Sequence, residues 1–247
     1  MRRLFLILAL LLTPLAARAD CVVLLHGLGR TDASMRVLQE VLDYHGYRVV
    51  NESYPSSEAP IGDLLAHVGR AAAQCGQERL HFVTHSLGGI LVRGWLAQGH
   101  PPNLGRVVML APPNHGSEIV DTLNSSRLLS DLAARINGPA TNQLGTGPGS
   151  VPNSLPPVDF DLGVIAGDVI LNPLGAAVIE GPNDGTVSVA STRVEGMRDH
   201  IVIDASHTLI MMNPVAMAEV LEYLREGAFD HGITLPAALR KLARPRG

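Results

Sequence analysis

Ser86 lies in the segment THSLG, residues 84 to 88, which differs by one residue from the GxSxG pattern of a serine nucleophile. In that pattern a strand turns sharply into a helix, and the serine between them has a strained backbone with its hydroxyl above the edge of the sheet. The residues two before and two after the serine must be small, so Gly88 fits fully and Thr84 only partly. The segment predicts a nucleophilic hydroxyl at a strand-to-helix corner. The alternative is an ordinary helix start capped by Ser86.

A nucleophilic serine needs a histidine as its general base. In an open parallel sheet the reacting groups gather at the carboxyl ends of the strands. His207 follows the apolar segment HIVIDA, residues 200 to 205, and precedes an apolar helical pattern, so we predict that it is the base. His200 begins the same segment and would lie at the opposite edge, about 15 Å away. Five other histidines lie at predicted helix ends, at a strand start or in the tail, and we expect them to be structural or exposed to solvent. They are His45, His67, His81, His100 and His231.

An aspartate is expected to orient the base, and two positions fit. Asp168 directly follows the apolar segment LGVIAG, residues 162 to 167, and Asp184 lies in the loop GPNDGTVS that comes later. Aspartate before glycine is also a common turn pair, which is the structural alternative. The residues by themselves leave both aspartates open.

The segment LLHGLGR, residues 24 to 30, supplies a further part of such a site. A tight loop after the first strand can present backbone N–H groups to the serine, and the helix after the serine offers another at its amino end. A developing oxyanion needs two such donors, fixed in advance. We therefore predict an oxyanion hole formed by the amides of Leu28 and Leu87. His26 is expected to be a structural hydrogen-bonding residue.

Apolar segments that resemble buried strands alternate with helical patterns along the chain, which predicts a mostly parallel sheet of about six strands with helices on both faces. The predicted strands are residues 21–26, 47–54, 80–85, 106–111, 162–167 and 200–205. The predicted helices are residues 33–45, 60–74, 87–98 and 214–226, with a possible helix at 117–136.

A lid-like insertion is predicted at about residues 114–158. Residues 137–157 are rich in Gly, Pro, Asn and Ser, and long segments of this kind inside a compact domain are usually lids or disordered links. The apolar residues before them could cover an acyl pocket or pack on the sheet, and both readings stay open. These residues are Leu123, Leu128, Leu129, Leu132 and Ile136.

The first 19 residues have the pattern of a cleavable signal peptide. Arg2 and Arg3 precede an apolar run from Leu4 to Leu12, which is too short to span a bilayer, and Ala17-Arg18-Ala19 is a cleavage signal. We therefore expect one domain, residues 20–247, in the periplasm or outside the cell. The net charge of −4 disfavours nucleic acid as a partner. The basic end LRKLARPRG, residues 239–247, is expected to be a solvated tail.

Together these motifs resemble the α/β-hydrolase superfamily. HG after the first strand, HSxGG at the corner, Asp in PNDGTV and His in SHT occur in the order Ser, Asp, His. Within the superfamily the chain is similar to small bacterial secreted lipases and esterases of the triacylglycerol lipase kind, over about residues 20–227. The resemblance makes Thr84 a tolerated variant, implies Ser86 as nucleophile and His207 as base, and favours Asp184 over Asp168.

The resemblance implies a secreted serine hydrolase that cleaves carboxylic esters, with lipid-like acyl esters as substrates and transient contact with a lipid surface. It also places Cys21 and Cys75 at the same edge of the sheet, close enough for a disulfide. No cofactor or metal is expected. The alternatives are an envelope phospholipase, thioesterase or acyltransferase with the same triad, and a binding protein without turnover on this fold.

Overall fold

The computed structural model describes residues 19–128, 130–131, 135 and 138–245. The predicted signal peptide up to Arg18, and the possible lid residues Leu129, Leu132 and Ile136, lie outside the described residues. Within the described part of the chain, no helix is long and apolar enough to cross a membrane.

Six parallel strands form one sheet in the order β2-β1-β3-β4-β5-β6. The predicted α/β class is confirmed, and each strand lies within two residues of its predicted bounds. Because all strands are parallel, their carboxyl ends share one edge, which we call the carboxyl edge. The strands are β1 Cys21–Leu25, β2 Arg48–Glu52, β3 Leu80–His85, β4 Leu104–Leu110, β5 Leu162–Gly167 and β6 Asp199–Ile203.

Helices cover both faces of the sheet, and the alternation of side chains along each strand divides the core between the two faces. In β1, Val23 and Leu25 pack with the two helices that flank β3 in the chain, whereas Val22 and Leu24 pack with the helix before β2 and the helix after β6. The helices described are α1 Arg36–Tyr44, α2 Ile61–Gln74, α3 Leu87–Leu96, α4 Glu118–Asn124, α5 Val151–Ser154, α6 Pro173–Val178, α7 Val189–Thr192, α8 Pro214–Glu226 and α9 Leu235–Leu242.

The prediction of a solvated basic tail is wrong for its first residues, because helix α9 begins at Leu235 and packs on α8. Ala238 is fully buried in this contact, and the Lys241 ammonium lies 2.7 Å from the Glu222 carboxylate. The basic side chains of this segment therefore border a helix that is part of the fold.

A buried arginine fixes the base of the insertion between β4 and β5. Arg93 of α3 is 4% exposed and donates to the backbone and side-chain oxygens of Asn114 at 3.0 and 3.2 Å. It also donates to the carbonyl of Pro156 at 3.3 Å. No carboxylate among the described residues pairs with it, and burial lowers its pKa to about 10. One guanidinium thus holds both ends of the segment predicted as lid-like.

At the amino edge of the sheet, Cys21 and Cys75 form a disulfide with their Cα atoms 5.6 Å apart. Cys21 begins β1 and Cys75 follows the last residue of α2. The bond therefore joins β1 to the helix that leads into β3. Both side chains are buried.

Candidate active site

Ser86 occupies the corner between β3 and α3, with φ 52° and ψ −120°. This positive φ is strained for a residue with a side chain. The corner is held because the Ser86 N–H donates to the carbonyl of Leu110 at 2.9 Å. Gly88 is required by space, since an added Cβ would lie 2.7 Å from the carbonyl oxygen of Leu25. Thr84 is fully buried in β3, where it pairs with Leu25 of β1 in the register.

The structure brings His207 and Asp184 to this serine. His207 Nε2 lies 3.0 Å from Ser86 Oγ, and His207 Nδ1 lies 2.7 Å from Asp184 Oδ2. The exposed fractions of the three residues are 8% for Ser86, 9% for His207 and 2% for Asp184. Since Nδ1–H donates to the carboxylate, Nε2 is free to accept the serine proton. This is the geometry of a nucleophile, a base and an orienting acid.

Asp184 is fixed by its own turn. Its Oδ1 accepts from the backbone N–H groups of Thr186 at 2.9 Å and Val187 at 2.8 Å, which leaves Oδ2 for His207. Asp168 is exposed just after β5 and is not the partner of His207. Partial burial and the nearby Asp204 carboxylate raise the pKa of Asp168. The structure therefore places Asp184, and not Asp168, at the histidine.

His85 is a second histidine at the site, and the sequence analysis missed it. It is 1% exposed, and its Nε2 donates to the backbone carbonyl of His207 at 2.9 Å. Burial, then the neighbouring His207 and Arg30, hold its pKa well below the usual 6.5, so the ring is neutral. Nδ1 has no hydrogen-bond partner within the described residues. Its position beside the serine in HSxGG was the only available signal.

The loop after β1 lies over the serine. An added Cβ at Gly27 would lie 3.2 Å from the Ser86 Cβ. His26 anchors this loop, because its ring stacks on Tyr54 at 4.0 Å and its Nδ1 donates to the Gly27 carbonyl at 2.9 Å. The Tyr54 hydroxyl also donates to the His26 carbonyl. His26 is thus structural in this fold.

Two backbone donors near the serine are unused. Leu28 lies in the loop over Ser86, and Leu87 is the first residue of α3. Among the hydrogen bonds of the described residues, none uses the backbone N–H of either leucine. The first N–H groups of a helix have no acceptor within that helix, so the Leu87 amide is available to a ligand. These are the two predicted donors to an oxyanion.

A cavity of about 230 Å³ opens at the serine, and Ser86, His85 and His207 line one side of it. The insertion supplies much of the opposite wall, which is mainly apolar. By contrast, Leu128 is 78% exposed and does not line this cavity. The described residues contain no cluster of three or more His, Cys, Asp or Glu that could hold a metal ion. The apolar residues of the wall include Ile119, Val120, Leu123 and Leu144.

The chain is similar to curated triacylglycerol lipases, although no family model matches it. It is 32% identical over 128 residues to a triacylglycerol lipase of Burkholderia plantarii, covering 44% of this chain and 36% of the relative. It is 33% identical over 118 residues to one of Pseudarthrobacter phenanthrenivorans, covering 43% and 37%. The match thus spans little more than a third of the length of these relatives.

Solved structures show the fold. The mature form of the Bacillus licheniformis lipase BlEst2 superposes with a TM-score of 0.67 and 20% identity, covering 85% of this chain and 93% of that one. The predicted α/β-hydrolase fold is confirmed, and the chain is similar to triacylglycerol lipases in sequence and to a lipase in architecture.

Proposed function

We propose that this α/β-hydrolase cleaves carboxylic esters through an acyl-enzyme on Ser86. The observation that carries the proposal is the continuous hydrogen-bonded chain from Ser86 through His207 to Asp184, at 3.0 and 2.7 Å. Ser86 and His207 line a mainly apolar cavity. The similarity to triacylglycerol lipases supports the same reaction class.

In the first half of the reaction, Ser86 Oγ attacks the ester carbonyl while His207 Nε2 takes the serine proton. Asp184 stabilises the resulting imidazolium through its bond to Nδ1. The backbone N–H groups of Leu28 and Leu87 receive the oxyanion. The C–O bond to the alcohol then breaks, and His207 returns the proton to the leaving oxygen.

In the second half, water attacks the acyl-enzyme and His207 takes its proton. The tetrahedral intermediate collapses, the bond between the acyl carbon and Ser86 Oγ breaks, and the serine recovers its proton. The ester and one water thus become an acid and an alcohol. The His207 ring must keep its orientation through both halves, which the carboxylate of Asp184 and the backbone contact from His85 support.

The proposed substrates are lipid-like acyl esters. The acyl chain would lie in the cavity against Ile119, Val120 and Leu123 of α4 and Leu144 of the insertion. Pockets that bind apolar ligands have such a lining, with a few polar groups placed for orientation. The insertion therefore contributes the acyl-binding wall.

We also propose that the protein is exported and touches lipid surfaces transiently. The signal-peptide pattern of residues 1–19 and the Cys21–Cys75 disulfide both suit an oxidising compartment. Exposed apolar side chains follow β5 and β6 beyond the carboxyl edge, and an exposed apolar patch is typical of an interaction site. These residues are Val169, Ile170, Leu171, Leu174, Leu209 and Met212.

Hydrolysis of p-nitrophenyl esters from short to long acyl chains, by the protein and its Ser86→Ala variant, tests the proposal. We expect activity in the unmodified protein and a loss of about 10⁴-fold or more in the variant. A longer-chain optimum would support lipid-like substrates. Equal inertness of both proteins, with no labelling of Ser86 by a fluorophosphonate, would favour a binding protein without turnover.

A further inference from the structure

Two cavities meet at Arg30. The first is the apolar cavity that opens at Ser86. The second is a cleft of about 490 Å³ between the loop after β1 and the loop after β2, and its lining is about half polar. Arg30 is among the residues that line both spaces. The polar lining of the cleft includes Thr31, Ser53, Ser56, Ser57 and Glu58.

Within the described part of the chain, the guanidinium of Arg30 has no ion-pair partner. No carboxylate of the described residues lies within 4 Å of it, and none of their hydrogen bonds uses its side chain. Glu58 lines the same cleft but is exposed and does not pair with Arg30. The backbone of Arg30 is held, since its carbonyl accepts from the Ser56 hydroxyl at 3.4 Å. A partly buried charge thus lies at the site, with no counter-ion among the described residues.

The charge of Arg30 acts on two histidines that lie next to the reacting groups. After burial and the neighbouring His207, Arg30 is the next cause that lowers the pKa of His85, the residue directly before Ser86. It also contributes, after larger causes, to the lowered pKa of His26 in the loop over the serine. An anion bound to Arg30 would therefore be close to the scissile ester.

We propose that the natural ester carries an anionic group on its alcohol part, which Arg30 binds while the acyl chain lies in the apolar cavity. The inference rests on the proposed ester hydrolysis and names its substrate class. The planar guanidinium offers five donors that match a phosphate, a carboxylate or a sulfonate in a bidentate way. Neutral glyceride esters would leave this charge unpaired in a partly desolvated position.

Three butyrate esters with the same acyl chain test the inference: 2-(butyryloxy)ethyl phosphate, 2-methoxyethyl butyrate and butyrylcholine. Their alcohols are anionic, neutral and cationic. We expect kcat/KM, measured by pH-stat, to be highest for the phosphate, by roughly tenfold over the neutral ester, and lowest for the cation. Arg30→Gln is expected to reduce the phosphate-to-neutral ratio to about one, and Arg30→Lys to retain part of it.

Arg36→Gln is the matched control, because Arg36 is exposed and lines neither cavity, yet its loss changes the net charge equally. It should leave the ratio unchanged. The inference would be overturned if the phosphate-to-neutral ratio were near one in the unmodified protein, or if a high ratio persisted in Arg30→Gln. Either result would leave ester hydrolysis standing. Inertness toward all three esters and toward the p-nitrophenyl series would instead overturn the hydrolase proposal and this inference with it.

A second arm separates a lipid headgroup from a soluble anionic ester. Dihexanoyl phosphatidate below its micelle concentration is compared with 2-(butyryloxy)ethyl phosphate, each with the unmodified protein and Arg30→Gln. A larger dependence on Arg30 for the phosphatidate would identify a phospholipid headgroup as the natural source of the anion. A larger dependence for the butyryl ester would identify a soluble substrate. The inference would be contradicted if the unmodified protein and Arg30→Gln hydrolysed each of the two phosphate esters equally well.

Discussion

Strand β3 has a buried histidine near each end, and the two histidines differ in how many of their ring nitrogens are hydrogen-bonded. His81, near the amino end, has both ring nitrogens bonded: Nδ1 accepts from the Arg106 N–H at 2.9 Å, and Nε2 lies 3.2 Å from the Asp20 carboxylate. His85, at the carboxyl end, has one bond, and its Nδ1 has no partner in the described structure. The hydrogen-bonding capacity of the histidine ring is thus fully used at the amino end of β3 and only partly used at its carboxyl end.

The backbone repeats this contrast. Within the described residues, the only residues other than glycine with positive φ are Ser86 and Ala111, which follow the carboxyl ends of β3 and β4. Each such residue costs on the order of 1–3 kcal/mol. At the amino edge, by contrast, Cys21 and Cys75 are covalently joined. The amino edge is thus stabilised by a covalent bond, whereas the carboxyl edge contains strained residues that reduce stability but position reactive groups.

The largest expected effect is on activity at the carboxyl edge. Asp184→Asn keeps the size of the side chain but removes the charge that stabilises the His207 imidazolium, so we expect kcat for p-nitrophenyl butyrate to fall about 10⁴-fold. The melting temperature should change much less. Asp168→Asn is the control and should retain full activity. The reverse result would assign the acid to Asp168.

The amino edge should show the opposite pattern. Replacing both Cys21 and Cys75 by serine opens a link between residues 54 apart in the chain, and chain entropy predicts a loss of about 4 kcal/mol of stability. Urea unfolding measures this loss. Because the bond lies at the edge opposite Ser86, kcat per folded molecule at 25 °C should not change. A tenfold fall in kcat would show that the two edges are coupled.

Arg93 tests whether the insertion depends on one buried charge. Arg93→Met removes the donors to Asn114 and Pro156 and leaves their carbonyls without these partners, so we expect a loss of roughly 3 kcal/mol in urea unfolding. Arg93→Lys keeps a charge but not the planar set of guanidinium donors, so its stability should lie between those of the unmodified protein and Arg93→Met. Equal stability of all three proteins would show that other contacts hold the insertion.

Much of this architecture could be predicted from sequence, for a local reason. Each strand contains a short apolar segment, and its approximate bounds follow from the residues themselves. Ser86 and His207 were predictable because Ser86 follows β3 directly and His207 lies four residues after the end of β6, where the chain position determines the edge of the sheet. The loop that holds Asp184 is long, so its approach to His207 could not be deduced from the residues alone.

The features missed are those whose partners are distant in sequence. Arg93 binds the carbonyl of Pro156 across 63 positions, and His85 binds that of His207 across 122. Neither pairing has a local pattern. Helix α9 was missed because its residues are mostly exposed or half-buried, and Ala238 is the one buried residue of this helix. Its packing on α8 is what makes it part of the fold.

The histidine pair at the two ends of β3 tests the comparison directly. His81→Ala leaves the Arg106 N–H without its acceptor, so we expect a loss of about 2 kcal/mol of stability and no change in kcat. His85→Ala removes the donor to the His207 carbonyl, and we expect kcat to fall roughly tenfold with little change in KM. Equal kcat values for the two variants would contradict a positioning role for His85.

In acid stability the two ends should behave alike, and this is the smallest effect. Burial lowers the pKa of both His81 and His85, so the folded protein excludes protons that the unfolded chain binds below about pH 6.5. The stability from this difference is present above pH 6.5 and is lost as the pH falls. Each alanine variant lacks one such group, so its stability deficit against the unmodified protein should become smaller as the pH falls from 7.5 to 5.5. Urea midpoints at the two pH values measure this. Shrinkage in only one variant would mean that the two ends also differ in solvation, and that the contrast between them extends beyond hydrogen bonding.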